Sequence, residues 1–291
     1  MATAVTTIRQ WLAQAHDPVD PEDARYLAMH VLALTPTGLF LHDERELTPD
    51  ELGQLEALLA RRAAGEPVAY LTGSRGFWSM ELQVDSSTLI PRADTENLVA
   101  AALEKLELFQ TPRVLDLGTG SGAIASAIAR ECPHAKVVAT DRSEDALRVA
   151  AGNAAALGLH NVEFLIGNWF AALPDPTTPF DVIVSNPPYI RSDDPHLEQG
   201  DLRFEPITAL ASGPDGLDDL RLIIAGAAAY LNDNGWLLVE HGYDQGAAVR
   251  ALFEQANYTH IETRRDFGDN DRITMGQLYR PTMKTSPLPT D

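Results

Sequence analysis

The sequence predicts an α/β protein: a mostly parallel seven-stranded sheet with helices on both faces, preceded by a small helical unit and a β-hairpin. Three observations carry this. From Arg113 onward, short aliphatic runs alternate with amphipathic segments, the order that winds a parallel sheet. Before about residue 65 the apolar residues recur only at helical spacing. Between Pro67 and Asp85 the period drops to two. At 291 residues the chain exceeds the usual size of one domain. The expected division is 1–66 helical, 67–88 hairpin linker, 89–280 α/β, and 281–291 a polar, Pro-rich disordered tail.

Val5, Ile8, Leu12 and Ala15 share one helix face, and Asp20-Pro21-Glu22-Asp23 opens a second helix running to about Leu34. Thr48-Pro49-Asp50-Glu51 has the form of a capping box, followed by Leu52, Leu55 and Leu59 on one face. His16, His30 and His42 lack metal-like pairing and read as structural or surface residues. After a turn placed at Gly73 to Gly76, Trp78, Met80, Leu82 and Val84 alternate with polar residues as a hairpin. Asp94 or Thr95 is placed to cap the helix through Leu98, Leu103 and Leu106. Strands follow at Val114 to Leu117, Lys136 to Thr140, Val162 to Ile166 and Phe180 to Ser185. A polar loop from Arg191 to Pro206, a helix from about Leu217 to Leu231 and a strand from Gly235 to Glu240 come next. A helix from Gln245 to Gln255 and strands near Thr259 to Thr263 and Ile273 to Leu278 complete the unit.

Acidic residues outnumber basic ones 42 to 22, a net charge of −20 that disfavours a broad phosphate-binding surface. One cysteine, Cys132, excludes an internal disulfide framework and any multi-cysteine metal site, and suits a reducing compartment. No stretch reaches the about 18 apolar residues of a membrane span, and the first ten residues lack a signal-peptide core. The expectation is a soluble, cytoplasmic monomer that binds neither membrane nor nucleic acid directly.

Two strand ends carry chemistry. Asn186-Pro187-Pro188-Tyr189 stops an apolar strand at its carboxyl end, the edge where open α/β sheets bind ligands. Consecutive prolines bring no N–H groups, so the Pro187 carbonyl and the Asn186 side-chain oxygen can face outward as acceptors for a planar NH2 group. Tyr189 can lay its ring on that group and stabilise positive charge there. The plain alternative is a Pro-rich loop after a strand. Upstream, Gly118-Thr119-Gly120-Ser121-Gly122 joins a strand to an Ala-rich helix, and its G-x-G-x-G spacing suits a nucleoside ligand other than a dinucleotide. Asp141 ends the next strand, placed to accept ribose hydroxyls or to cap the helix at Ser143. Trp169 offers a face for adenine or packs into the core, with Asn168 beside it. Asp116, in an apolar strand, meets a ligand ammonium group or satisfies loop amides.

Asp-Leu-Gly-Thr-Gly-Ser-Gly with Asp141 and Asn-Pro-Pro-Tyr resembles the class I S-adenosyl-L-methionine-dependent methyltransferases that modify planar NH2 nitrogens, with a Rossmann-like fold. Ile90-Pro91-Arg92-Ala93-Asp94-Thr95-Glu96, Asn186 to Ile190, Arg203-Phe204-Glu205-Pro206 and Arg265 to Arg272 together resemble the PrmC (HemK) family of release factor glutamine N5-methyltransferases over roughly residues 5 to 280. The resemblance implies S-adenosyl-L-methionine as cofactor and class I peptide chain release factors as protein substrates, methylated on the glutamine of a Gly-Gly-Gln motif. It implies a helical N-terminal domain that helps hold the release factor. It further implies that Gly118, Thr119, Gly120, Ser121, Gly122, Asp141 and Trp169 contact the cofactor, with Asn186 between cofactor and substrate. Asn186, Pro187, Pro188 and Tyr189 would then serve both substrate binding and catalysis. Two positions depart from the family pattern: Ala93, where proline is usual, and Asn168, where an acidic residue is common. The rival readings are a DNA adenine-N6 methyltransferase, which shares the tetrapeptide, and a noncatalytic cofactor-binding docking protein.

Overall fold

The structure is a computed structural model that describes residues 6–15, 17, 19–173 and 178–279. The expectations on Val5, His16 and the tail from Pro281 lie outside them. Helices α1 (Ile8–Ala15), α2 (Pro21–Leu32), α3 (Pro36–Leu41) and α4 (Pro49–Ala63) form the N-terminal unit around Ile8, Trp11, Ala24, Ala28 and Leu55. The capping box at Thr48 is made, its hydroxyl accepting from Glu51 N–H while the Glu51 carboxylate accepts from Thr48 N–H. Helix α3, unforeseen, opens on a Thr35-Pro36 start of the same kind, with the Thr35 hydroxyl accepting from Gly38 N–H.

A short helix α5 (Val68–Thr72) precedes the hairpin β1 (Ser74–Phe77) and β2 (Met80–Gln83). The reversal is not at Gly73 to Gly76 but at Trp78-Ser79, because Phe77 pairs with Met80. Trp78 takes the positive φ such a tight turn needs, 56°. Its backbone N–H donates to Glu96 and its indole to Glu131, and these bonds hold a conformation that glycine usually supplies. Gly73 instead ends α5.

Helix α6 (Thr95–Leu106) leads into the main sheet: β3 (Arg113–Leu117), α7 (Ala123–Glu131), β4 (Lys136–Asp141), α8 (Glu144–Ala156), β5 (Val162–Ile166) and β6 (Phe180–Ser185). Then come α9 (Asp218–Ala227), β7 (Leu231–Glu240), α10 (Gly246–Gln255), β8 (Tyr258–Arg265) and β9 (Asp271–Leu278). Strand order is β5-β4-β3-β6-β7-β9-β8, parallel except for β9, which runs antiparallel to both neighbours. The predicted helix to Leu231 ends early. Leu231 already pairs with Phe180, and the polar run before Trp236 is a bulge within β7.

Adjacent residues of each central strand face opposite cores, which is why these strands read as continuous apolar runs. Val114, Val182 and Leu238 meet α6 and α7; Leu115, Ile183 and Leu237 meet α9 and α10. The chain leaves β3 toward β4 and β5, then returns to place β6 on the other side of β3. That reversal opens a crevice at the carboxyl ends of β3 and β6.

Candidate active site

Leu117 and Ser185 are paired across β3 and β6, and the Ser185 hydroxyl donates to the Leu117 carbonyl at 2.8 Å. The two chemistry-bearing segments therefore start side by side. An open cavity of about 470 Å³ lies over them, lined among others by Gly118 to Ser121, Asp141, Asn168, Trp169, Asn186 and Pro188. From farther away come Arg92, Thr95, Pro206, Thr208 and Asp219.

Gly118, Gly120 and Gly122 all have positive φ, 72°, 55° and 81°. At Gly118 a Cβ would stand 2.9 Å from the Trp169 ring, so only glycine lets that indole lie against the loop. Trp169 is steered from the other end, its Nε1–H donating to Asp219 at 3.1 Å. The Asp141 carboxylate accepts from Gly120 N–H and Ser143 N–H, both at 2.9 Å, and each oxygen keeps a lone pair for a hydroxyl. The helix cap itself is Ser143, whose hydroxyl accepts from Ala146 N–H. Asp116 turns inward instead: it is fully buried, absent from the cavity lining, and accepts from the Thr119 hydroxyl and Ala125 N–H. Burial pushes its carboxyl up to about 7. Asn153, unforeseen, ties the loop to the hairpin by donating to the Ser121 and Gln83 carbonyls.

At the tetrapeptide, Asn186 Nδ2 donates to the Thr95 hydroxyl at 3.1 Å, and no donor among the described residues takes Asn186 Oδ1 or the Pro187 carbonyl. Pro187 and Pro188 are buried. Two expectations need correction. Neither Asp94 nor Thr95 caps α6 through its side chain; the Thr95 hydroxyl is committed to Glu240 instead. Tyr189 does not line the cavity: its hydroxyl donates to Glu240 at 3.2 Å and its ring packs beside the α9 and α10 core, because the buried carboxylate draws it inward. Burial and the neighbouring Glu240 both push the Tyr189 phenol above its ordinary range.

The remaining motifs frame the cavity. Glu205, buried, accepts from Ile90 N–H at 3.1 Å and from the Arg92 guanidinium, joining the loop after β6 to the segment before α6. Asp266 accepts from the Asn270 and Gly268 backbone N–H groups of its own turn and twice from Arg272, which together hold it below the usual carboxylate range. Arg272 also donates to the His241 carbonyl at the end of β7.

A glycine loop and an acceptor tetrapeptide meeting at the switch point of this mixed sheet define a class I methyltransferase. The fold is shared with a methyltransferase of known structure from Pyrococcus furiosus, with TM-score 0.52 and 16% identity, over 76% of this chain and 98% of that one. Residues 3–73 match the family described as PrmC N-terminal domain, and residues 109–279 match one described as methyltransferase domain. Release factor glutamine methyltransferase of Xylella fastidiosa strain Temecula1 is 52% identical over 91% of this chain and 96% of its own length. The enzyme of that name from Escherichia coli K12 is 47% identical over 94% of this chain and 98% of its own. The chain belongs to the release factor glutamine methyltransferase family. Among the described residues no cluster of histidine, cysteine or carboxylates is arranged to hold a metal, and no helix is long and apolar enough to cross a membrane.

Proposed function

We propose that this chain transfers the methyl group of S-adenosyl-L-methionine to the side-chain amide nitrogen of the glutamine in the Gly-Gly-Gln motif of class I release factors. The observation that carries the reading is the state of Asn186: its amino end is bound to Thr95, and no described donor takes its carbonyl oxygen where the glycine loop and the tetrapeptide meet. The cofactor fits the cavity through the loop Gly118 to Ser121, with Trp169 to take the adenine and Asp141 the ribose hydroxyls, while Gly122 is outside the lining and packs against Ala150 of α8. When bound, it supplies a methyl group already activated by a sulfonium.

An amide nitrogen is a poor nucleophile because its lone pair is shared with the carbonyl. Asn186 Oδ1 and the Pro187 carbonyl accept its two hydrogens, which aims the nitrogen and favours the positive charge it gains. Pro188 stiffens the loop, and Tyr189 anchors its far end. No side chain needs to form a bond to the substrate. The helical residues 1–66 hold the release factor. The site is complete within one chain, which supports a monomer; the net charge of −20 supports a protein partner over nucleic acid. The single cysteine supports a cytoplasmic setting.

The test is to incubate protein, cofactor and unmethylated release factor, with DNA as control, and read the Gly-Gly-Gln peptide by mass spectrometry. One added methyl on the glutamine is expected; methyl on adenine alone refutes the reading. Asn186→Ala should lose about 100-fold or more in turnover while its cofactor affinity stays within about twofold of wild type. A wild-type rate in that variant removes Asn186 from the mechanism.

A further inference from the structure

We infer that Glu240 and Thr95 are positioning residues for methyl transfer, holding Asn186 through a one-way line of hydrogen bonds with its oxygen, and not its amino group, toward the substrate amide. The inference rests on the function proposed above and extends it to two residues that need not touch the substrate.

The line is built from three elements far apart in sequence. Glu240 ends β7 and is 1% exposed; Thr95 opens α6 and is 4% exposed. The Thr95 hydroxyl donates to Glu240 Oε2 at 2.8 Å, and Asn186 Nδ2 donates to Thr95 Oγ1 at 3.1 Å. Tyr189 donates to the other oxygen of the same carboxylate. An ionised carboxylate only accepts, so Thr95 must give Glu240 its single proton. Its oxygen then offers only lone pairs to Asn186, and only the amino end of that amide can meet them. A flipped Asn186 would set oxygen against oxygen, and its donors would face donors. The charge on Glu240 thus fixes which end of Asn186 the substrate meets. The first and last residues of the tetrapeptide hang on one buried anion.

Folding alone does not call for this carboxylate. A buried charge is costly unless paired. The cation nearest in kind, Arg272, gives its ion pairs to Asp266 and, at 4.0 Å, to Asp94. Burial raises the Glu240 carboxyl to about 7, Asp94 adds to the rise, and Arg272, Thr95 and Tyr189 oppose it. The next residue, His241, turns its ring to the Gly242 carbonyl and the Thr274 hydroxyl. A protonated Glu240 becomes a donor, which frees the Thr95 proton to turn toward Asn186 and loosens the amide. Turnover therefore falls as pH drops through about 7.

The experiment compares wild type with E240Q, T95V and T95S, measuring kcat and KM on an unmethylated release factor, cofactor affinity by calorimetry, and the pH profile of kcat. E240Q and T95V should lose about 10- to 100-fold in kcat with cofactor affinity within about twofold of wild type. T95S, which keeps the hydroxyl, should stay within about threefold. The acid limb of wild type should vanish in E240Q, where Gln cannot titrate. Three results overturn the inference while the function stands: E240Q and T95V near wild-type kcat, a loss of cofactor affinity that matches the loss of kcat, or an acid limb unchanged in E240Q. A wild-type protein that leaves the glutamine unmethylated overturns the function and the inference together.

Discussion

Asp116 shows how a single side chain reports on its surroundings. Its Oδ1 is buried without a partner among the described residues, and burial, with Asp141 adding to it, keeps the acid protonated up to about 7 against an ordinary 3.8. The unfolded chain releases that proton near the ordinary value. Between the two the folded state binds the extra proton, so this group's contribution to stability falls as pH rises through the window. Asp116→Asn removes the titration. Relative to wild type it should be more stable at pH 8 by up to about 3–4 kcal/mol, with the gain gone near pH 4, as thermal unfolding at both pH values will show. His241, whose burial lowers its basicity, has the opposite dependence, but it is common to both proteins and cancels in the difference. The glycine loop, Asp141, Trp169 and Asn186 were legible in the sequence because each sits at the end of a regular strand, where position alone suggests a ligand. Thr95, Glu240, Asn153 and Asp219 were not, since their roles come from partners 32 to 145 residues away that no local period encodes.

Among elements, the loop before α9 shows the tetrapeptide being held from behind. Gly216 has φ 75°, and a Cβ there would come within 2.2 Å of the Tyr189 carbonyl and 2.7 Å of Gln245 Nε2, which donates to that carbonyl. Gly216→Ala should cost about 1–3 kcal/mol of stability and lower kcat more than cofactor affinity, measured by thermal unfolding beside kinetics. The order of strands and helices was readable throughout, because a parallel sheet buried on both faces leaves unbroken apolar runs. Turns were less so. Trp78 takes a positive φ because two distant carboxylates hold its N–H groups, and the Asn-rich bulge of β7 imitates a helix end. Both depend on neighbours that local sequence does not reveal.

At the scale of the whole molecule, Arg62 joins the N-terminal helices to the loop roofing the cavity. It donates to Asp23 at 2.6 Å, to the Gly65 and Glu66 carbonyls, and to Asp201 at 2.9 Å, while Arg203 donates back to the Ala64 carbonyl. Arg62→Ala should raise KM for a complete release factor by about 3- to 10-fold and leave a short Gly-Gly-Gln peptide unaffected. Equal effects on both would mean that the joint serves the cavity and not the grip on the protein. The position of β9 sets a different constraint. It is the last strand among the described residues yet lies between β7 and β8, so β8 is joined to the sheet only through β9. Strand β9 carries Arg272, the cation beside Glu240. The cofactor loop and the acceptor loop both precede it in sequence, yet Glu240, whose register partner is Ile273, gains its outer neighbour only when β9 takes its place. The sheet is thus closed by residues that follow both loops of the site, and a chain cut before residue 271 leaves β7 as an edge strand with Glu240 at its open side.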